Sequence, residues 1–88
     1  MHILIVEDEI GIMQFLQQGL EEEGYQITTA SDGLKGFEII QETHFDLILL
    51  DWMLPKMNGL ELCKAIRVKD AKTPILFLTA KDTIQETI

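Results

Sequence analysis

A single cysteine, Cys63, rules out an internal disulfide, and a reducing compartment, the cytoplasm, is the expected setting. The two histidines, His2 and His44, lie too far apart to show metal-ligand spacing, so no zinc site is expected. Basic residues are scarce: seven Lys and Arg stand against fifteen Asp and Glu, for a formal charge of −8. Phosphates would be repelled, which disfavours non-specific nucleic-acid binding by these residues and favours a cation or a basic partner surface. No run of about 18 apolar residues is present, so no membrane span is expected. The start, MHILIVEDE, lacks the basic stretch and cleavage site of a signal peptide. Repeats, low-complexity tracts and linker-like stretches are also missing. With 88 residues, one domain over 1–88 is expected, at the small end for an independent core.

What the chain does have is apolar residues, 47% of the total, enough for a packed core. His2 to Val6 reads as a buried strand, stopped by Glu7, Asp8 and Glu9. From Ile10 to Glu23 the positions Ile12, Met13, Leu16 and Leu20 follow helical spacing, and Gly24 supplies the stop. Tyr25 to Ala30 reads as a second strand, and S-D-G at 31–33 as a turn. Leu34 to Glu42 reads as a helix with Leu34, Phe37 and Ile40 on one face. Leu47 to Asp51 is a third strand. Asn58 caps a helix to about Arg67 that buries Leu60, Cys63 and Ile66. Pro74 precedes a fourth strand, Ile75 to Thr79, and residues 83–88 read as the start of another helix. Gly11 and Gly36 fall inside helices, where each costs about 1 kcal/mol relative to alanine.

Apolar strands alternating with helices of about ten residues predict an α/β fold: a doubly wound parallel sheet covered on both faces, with three layers α/β/α. The carboxyl ends of all strands then share one edge, where ligands bind in such folds. Glu7 and Asp8 end the first strand, Asp51 the third, and Thr79 the fourth. Three converging carboxylates need protons or a metal. Hard oxygen ligands suit Mg²⁺, which would keep Asp51 ionised and offset charge on a transferring phosphoryl group. Attack by Asp51 on phosphorus would give an acyl phosphate, and Thr79 could donate a hydrogen bond to a phosphoryl oxygen.

The stretches ILIVEDE, DLILLDWMLPKMNG and PILFLTA, in this order and spacing, resemble the response-regulator receiver family, the phospho-acceptor half of two-component signalling. The stretch LDWMLPKMNGLELCKAIR looks most like the winged-helix, DNA-binding subclass named after OmpR and PhoB. The resemblance implies a flavodoxin-like sheet of order 2-1-3-4. It implies that Asp51 is the phosphorylated residue, that Asp8 ligates Mg²⁺ (or Mn²⁺) directly, and that Glu7 acts through water. Met53 matches the position whose backbone carbonyl completes the metal site. Thr79 matches the switch hydroxyl, and the amides of Trp52 and Ala80 those that contact phosphoryl oxygens. The donor would be a phosphohistidine on a sensor histidine kinase, and a full-length protein would bind DNA. Such a receiver is a signalling acceptor that catalyses only its own phosphotransfer and dephosphorylation.

The family pattern continues into a fifth strand, bearing a phosphoryl-contacting lysine, and a last helix. Neither is found in this sequence, and Lys81 does not match that lysine. The chain is therefore expected to be a truncated receiver with an open fourth-strand edge, and to form a homodimer, possible by segment exchange at that edge. A non-phosphorylated interaction module is one alternative. An aspartate-nucleophile phosphatase needs a second acid two residues after the nucleophile, where Met53 stands. A flavodoxin-like nucleotide binder needs a phosphate-cradling loop, where EDEIGI stands. Cys63, Met13 and Met57 read as packing residues, and Trp52 as a partly exposed one.

Overall fold

The structure, a computed structural model, describes residues 1–78 with their side chains and Ile84–Thr87 by the backbone. Its elements are β1 (His2–Val6), α1 (Ile10–Glu22), β2 (Gln26–Ala30), α2 (Gly33–Glu42), β3 (Leu47–Asp51), α3 (Gly59–Lys69), β4 (Ile75–Leu78) and β5 (Ile84–Thr87). The sheet order is β2-β1-β3-β4-β5. The first four strands are parallel in the expected order. β5 runs antiparallel along β4, with Leu78 opposite Ile84.

β5 corrects two expectations. Residues 84–87 form a strand and not the start of a helix, and the β4 edge is paired and not open. An unpaired row of backbone N–H and C=O groups outweighs the weak local preference of a four-residue segment.

Alternate side chains of β1, β3 and β4 enter two cores, as the pleat requires. Leu4, Val6, Ile48, Leu50, Ile75 and Phe77 pack with Leu62, Cys63 and Ile66 of α3 and with Phe37 and Ile40 of α2. Ile3, Ile5 and Leu49 point to the other face, against Met13, Leu16 and Leu20 of α1. That face is covered more thinly: none of the residues of α1 is buried, and Phe15 is 78% exposed. Leu60, expected inside, lies 42% exposed, and Leu62 takes the core position. Ile12 and Leu34 are likewise exposed, one helical step off the buried stripes.

The helix boundaries follow from capping. Asn58 and Glu61 form a reciprocal capping box, with contacts of 2.9 and 3.2 Å. Asp32 caps α2 by accepting from the Lys35 amide at 2.7 Å. Gly24, at φ 93, closes α1 in the left-handed region. Gly36 has a packing reason: a Cβ there would lie 3.0 Å from Val6 and 3.3 Å from Leu62. Its absence lets α2 sit close on the sheet.

Before β4, the Asp70 carboxylate accepts from the Thr73 hydroxyl and from the amides of Lys72 and Thr73. The Thr73 hydroxyl, helped by those amides, holds the carboxyl down at about 2, below its ordinary 3.8. Asp70→Ala is expected to lower stability by about 1 kcal/mol at pH 7. A depressed folded value means that this contribution is present above pH ~4 and is lost as pH falls toward ~2. Thermal melts of both proteins at pH 7 and pH 2.5 check it. Equal melting temperatures at pH 7 would contradict it.

Candidate functional site

Strand pairing builds the site. β1 and β3 are adjacent with Val6 opposite Leu50, so the next residue of each, Glu7 and Asp51, meet at the carboxyl edge of the sheet. Asp8 follows on the loop into α1. One carboxylate oxygen from each of Glu7, Asp8 and Asp51 falls within 4.8 Å of the others. Glu7 and Asp51 are buried, whereas Asp8 is exposed.

Burial is the main reason that the Glu7 carboxyl is pushed up to about 7 from its ordinary 4.5. The Glu9 amide, donating to Glu7 Oε2 at 3.1 Å, opposes the rise, and the Asp51 charge adds to it. Asp51 Oδ1 is buried and, among the described residues, has no hydrogen-bond partner. Buried polar atoms without partners are rare, because each forfeits its interaction with water. An orphaned carboxylate oxygen beside two more acids fits a hard divalent cation, whose charge would relieve both the repulsion and the missing contact.

The cleft over these acids measures about 650 Å³ and reaches past Met53 and Leu78 to Ile12 and Phe15 of α1. Its mouth is therefore acidic on one side and apolar on the other. Met53 is 73% exposed and lines the cleft. Trp52 is half-buried, as expected of a packing residue, with its ring stacked on Phe77 at 4.2 Å. Its amide donates to the Leu78 carbonyl at 3.3 Å. This bond closes the β3–β4 ladder, whose last described pair is Asp51 opposite Leu78. Thr79, Ala80 and Lys81 lie outside the described residues.

Gly59 brings α3 against the end of β3. A Cβ there would fall 2.3 Å from the Asp51 carbonyl oxygen, and the Gly59 amide donates to the Trp52 carbonyl at 3.0 Å. In the sequence Gly59 only follows the Asn58 cap, and nothing there shows that it touches the residue bearing the central acid.

Residues 3–88 match the response regulator receiver domain. The chain belongs to the response regulator receiver family. Among sequence relatives, this receiver is 49% identical over 80 residues to the alkaline phosphatase synthesis transcriptional regulatory protein PhoP of Bacillus subtilis, covering 91% of the chain and 33% of that protein. It is 44% identical over 86 residues to the transcriptional regulatory protein PcoR of Escherichia coli, covering 98% of the chain and 38% of that protein. The chain thus spans about a third to two fifths of the length of these relatives.

Solved receivers agree in fold. The chemotaxis response regulator CheY4 of Vibrio cholerae superposes with a TM-score of 0.88 at 37% identity, over 93% of this chain and 70% of that one. The response regulator TrrA of Thermotoga maritima, solved with Mg²⁺-BeF, gives 0.86 at 39% identity, over 90% and 69%. The protein is accordingly a receiver domain of two-component response regulators, a class of signalling proteins, with relatives named as transcriptional regulators. Among the described residues, no helix is long and apolar enough to cross a membrane.

Proposed function

We propose that the receiver accepts a phosphoryl group on Asp51 from a phosphohistidine of a sensor histidine kinase. The observation that carries this reading is the buried Asp51 Oδ1, without a hydrogen-bond partner among the described residues, at the floor of a three-acid cleft. Glu7, Asp8, Asp51 and the Met53 carbonyl would hold Mg²⁺, or Mn²⁺ in its place. The ion when bound offsets negative charge on the transferring phosphoryl group. Asp51 supplies the attacking oxygen: an O–P bond forms as the P–N bond of the donor breaks, and the departing imidazole takes up a proton. Asp51 sits at the end of a strand buried on both faces, so its carboxylate is held in place. Thr79 and the amides of Trp52 and Ala80 are proposed to contact the phosphoryl oxygens.

Residues 1–88 act in this reading as one receiver domain in the cytoplasm, a stoichiometric acceptor and not a turnover enzyme. In a longer protein of this kind the output is DNA-binding control of transcription, and this acidic segment does not itself contact DNA. Self-association is proposed through the exposed apolar side of α1, around Ile12 and Phe15, and not through the β4 edge that β5 occupies. Light scattering that shows a monomer at high concentration would refute this last point.

Incubation with acetyl phosphate or phosphoramidate and Mg²⁺ tests the acceptor reading. Intact mass is expected to rise by ~80 Da, the mass of one phosphoryl group added covalently. No addition, or an addition that persists in Asp51→Asn, would overturn it.

A further inference from the structure

The loop from Trp52 to Asn58 follows the acceptor directly, and two glycines outside it touch its backbone. Gly59 lies against the Asp51 carbonyl, as described. Gly33, the first residue of α2, lies against the other end. A Cβ at Gly33 would fall 1.8 Å from the Met57 carbonyl oxygen, 2.7 Å from its carbon and 2.9 Å from its Cβ. The Gly33 amide points at the Pro55 carbonyl at 3.4 Å, and Lys56 Nζ lies 3.7 Å from the Asp32 carboxylate. Between these contacts Lys56 adopts φ 70, a conformation that a lysine adopts only where its surroundings demand it.

We propose that Gly33 is a positioning residue for the acceptor site, and that the first turn of α2 sets the path of the 52–58 loop and with it the placing of Met53 beside Asp51. This rests on the reading of the Glu7, Asp8 and Asp51 cleft as a cation and phosphoryl site. A methyl at Gly33 cannot share space with a backbone carbonyl, so either α2 or the loop must move. α2 has little room to withdraw toward the sheet, because the space at Gly36 is too small even for a Cβ, which would lie 3.0 Å from Val6 and 3.3 Å from Leu62. The loop, whose residues 53, 55, 56 and 58 are exposed, is the part free to shift. A shift of about an ångström near a reacting group can cost up to ~100-fold.

Three alanine variants separate positioning from stability. Gly33→Ala is expected to weaken Mg²⁺ binding by about tenfold, read by Trp52 fluorescence, and to slow phosphorylation by acetyl phosphate comparably. Gly36→Ala crowds Val6 and Leu62 and is expected to lower the melting temperature while leaving the Mg²⁺ affinity of the folded protein unchanged. Gly19→Ala, with nothing within 4 Å of its Cβ, is expected to change neither adversely. Backbone amide NMR signals of Asp51, Trp52 and Met53 without any ion give a second reading. They are expected to move in Gly33→Ala and to stay in Gly36→Ala.

If the wild-type protein binds no Mg²⁺, the cation reading fails, and the ion-free amide signals still decide the placement of the loop. Should Gly33→Ala not fold, Asp32→Ser keeps the helix cap, removes the carboxylate facing Lys56, and is expected to weaken Mg²⁺ binding about twofold. Unchanged affinity and unchanged amide signals in the variant that folds would overturn the proposal.

Discussion

Asp51→Asn is expected to abolish phosphoryl uptake and, in the same protein, to raise the melting temperature of the ion-free form. The first effect follows from chemistry, since an amide oxygen is a poor nucleophile toward phosphorus and no other carboxylate ends the buried central strand. The second follows from the site's electrostatics. Asp51 holds a buried oxygen that has no partner among the described residues, next to the Glu7 carboxyl. The amide removes the charge and can donate to Glu7. The gain at pH 8 is expected to be about 1–2 kcal/mol, or roughly 5–10 °C for a domain of this size. Differential scanning in EDTA measures it, and a lower melting temperature than wild type under those conditions would contradict it. Added Mg²⁺ should stabilise the wild type and leave Asp51→Asn nearly unmoved.

The second large effect is on pH dependence, and it runs against the usual direction for an acid. Glu7 titrates at about 7 in the folded chain, against 4.5 ordinarily. Between these values the folded protein holds a proton that the unfolded chain has released. Stability of the ion-free protein therefore falls as pH rises from ~4.5 to ~7 and levels off above. With allowance for water at the cleft mouth, the loss is expected to be about 2 kcal/mol. Asp70 does not interfere, because its contribution changes only at lower pH. A divalent cation can replace the missing proton: at 100 times its Kd it returns about 2.7 kcal/mol. Melting temperatures from pH 5 to 8 in EDTA should fall, and in Mg²⁺ the fall should vanish. A melting temperature that rises across this range in EDTA would sink the assignment. In Asp51→Asn the slope should shrink but persist, because burial, the main cause, remains.

The central elements were legible because their residues answer to one demand. Ile3 to Val6 and Leu47 to Leu50 are apolar at consecutive positions, which only a strand covered on both faces requires. The acids were legible by place, since Glu7, Asp8 and Asp51 stand where such strands end. The misreadings came from contacts that are distant in sequence. Leu60 and Leu62 are alike locally, and only the rotation of α3 on the sheet separates them. Gly36 reads as a helix defect until Val6 is seen against it. The segment Ile84–Thr87 carries little pattern of its own and follows the edge it meets. Gly33 reads as part of a turn, and nothing in S-D-G reveals that it touches Met57.

The strand order carries a consequence for how the chain finds this structure. β1 lies between β2 and β3, with Ile3 opposite both Ile27 and Leu47. A β1–α1–β2 unit can assemble early, but it leaves one side of β1 unsatisfied until β3 arrives from beyond α2. The strand order therefore does not follow the chain order from one end of the sheet to the other. Each addition closes a long loop before it gains contacts, so folding is limited by chain search more than by local preference. During that search the ILIV segment of β1 presents an apolar, half-paired edge, and aggregation competes with folding at that stage.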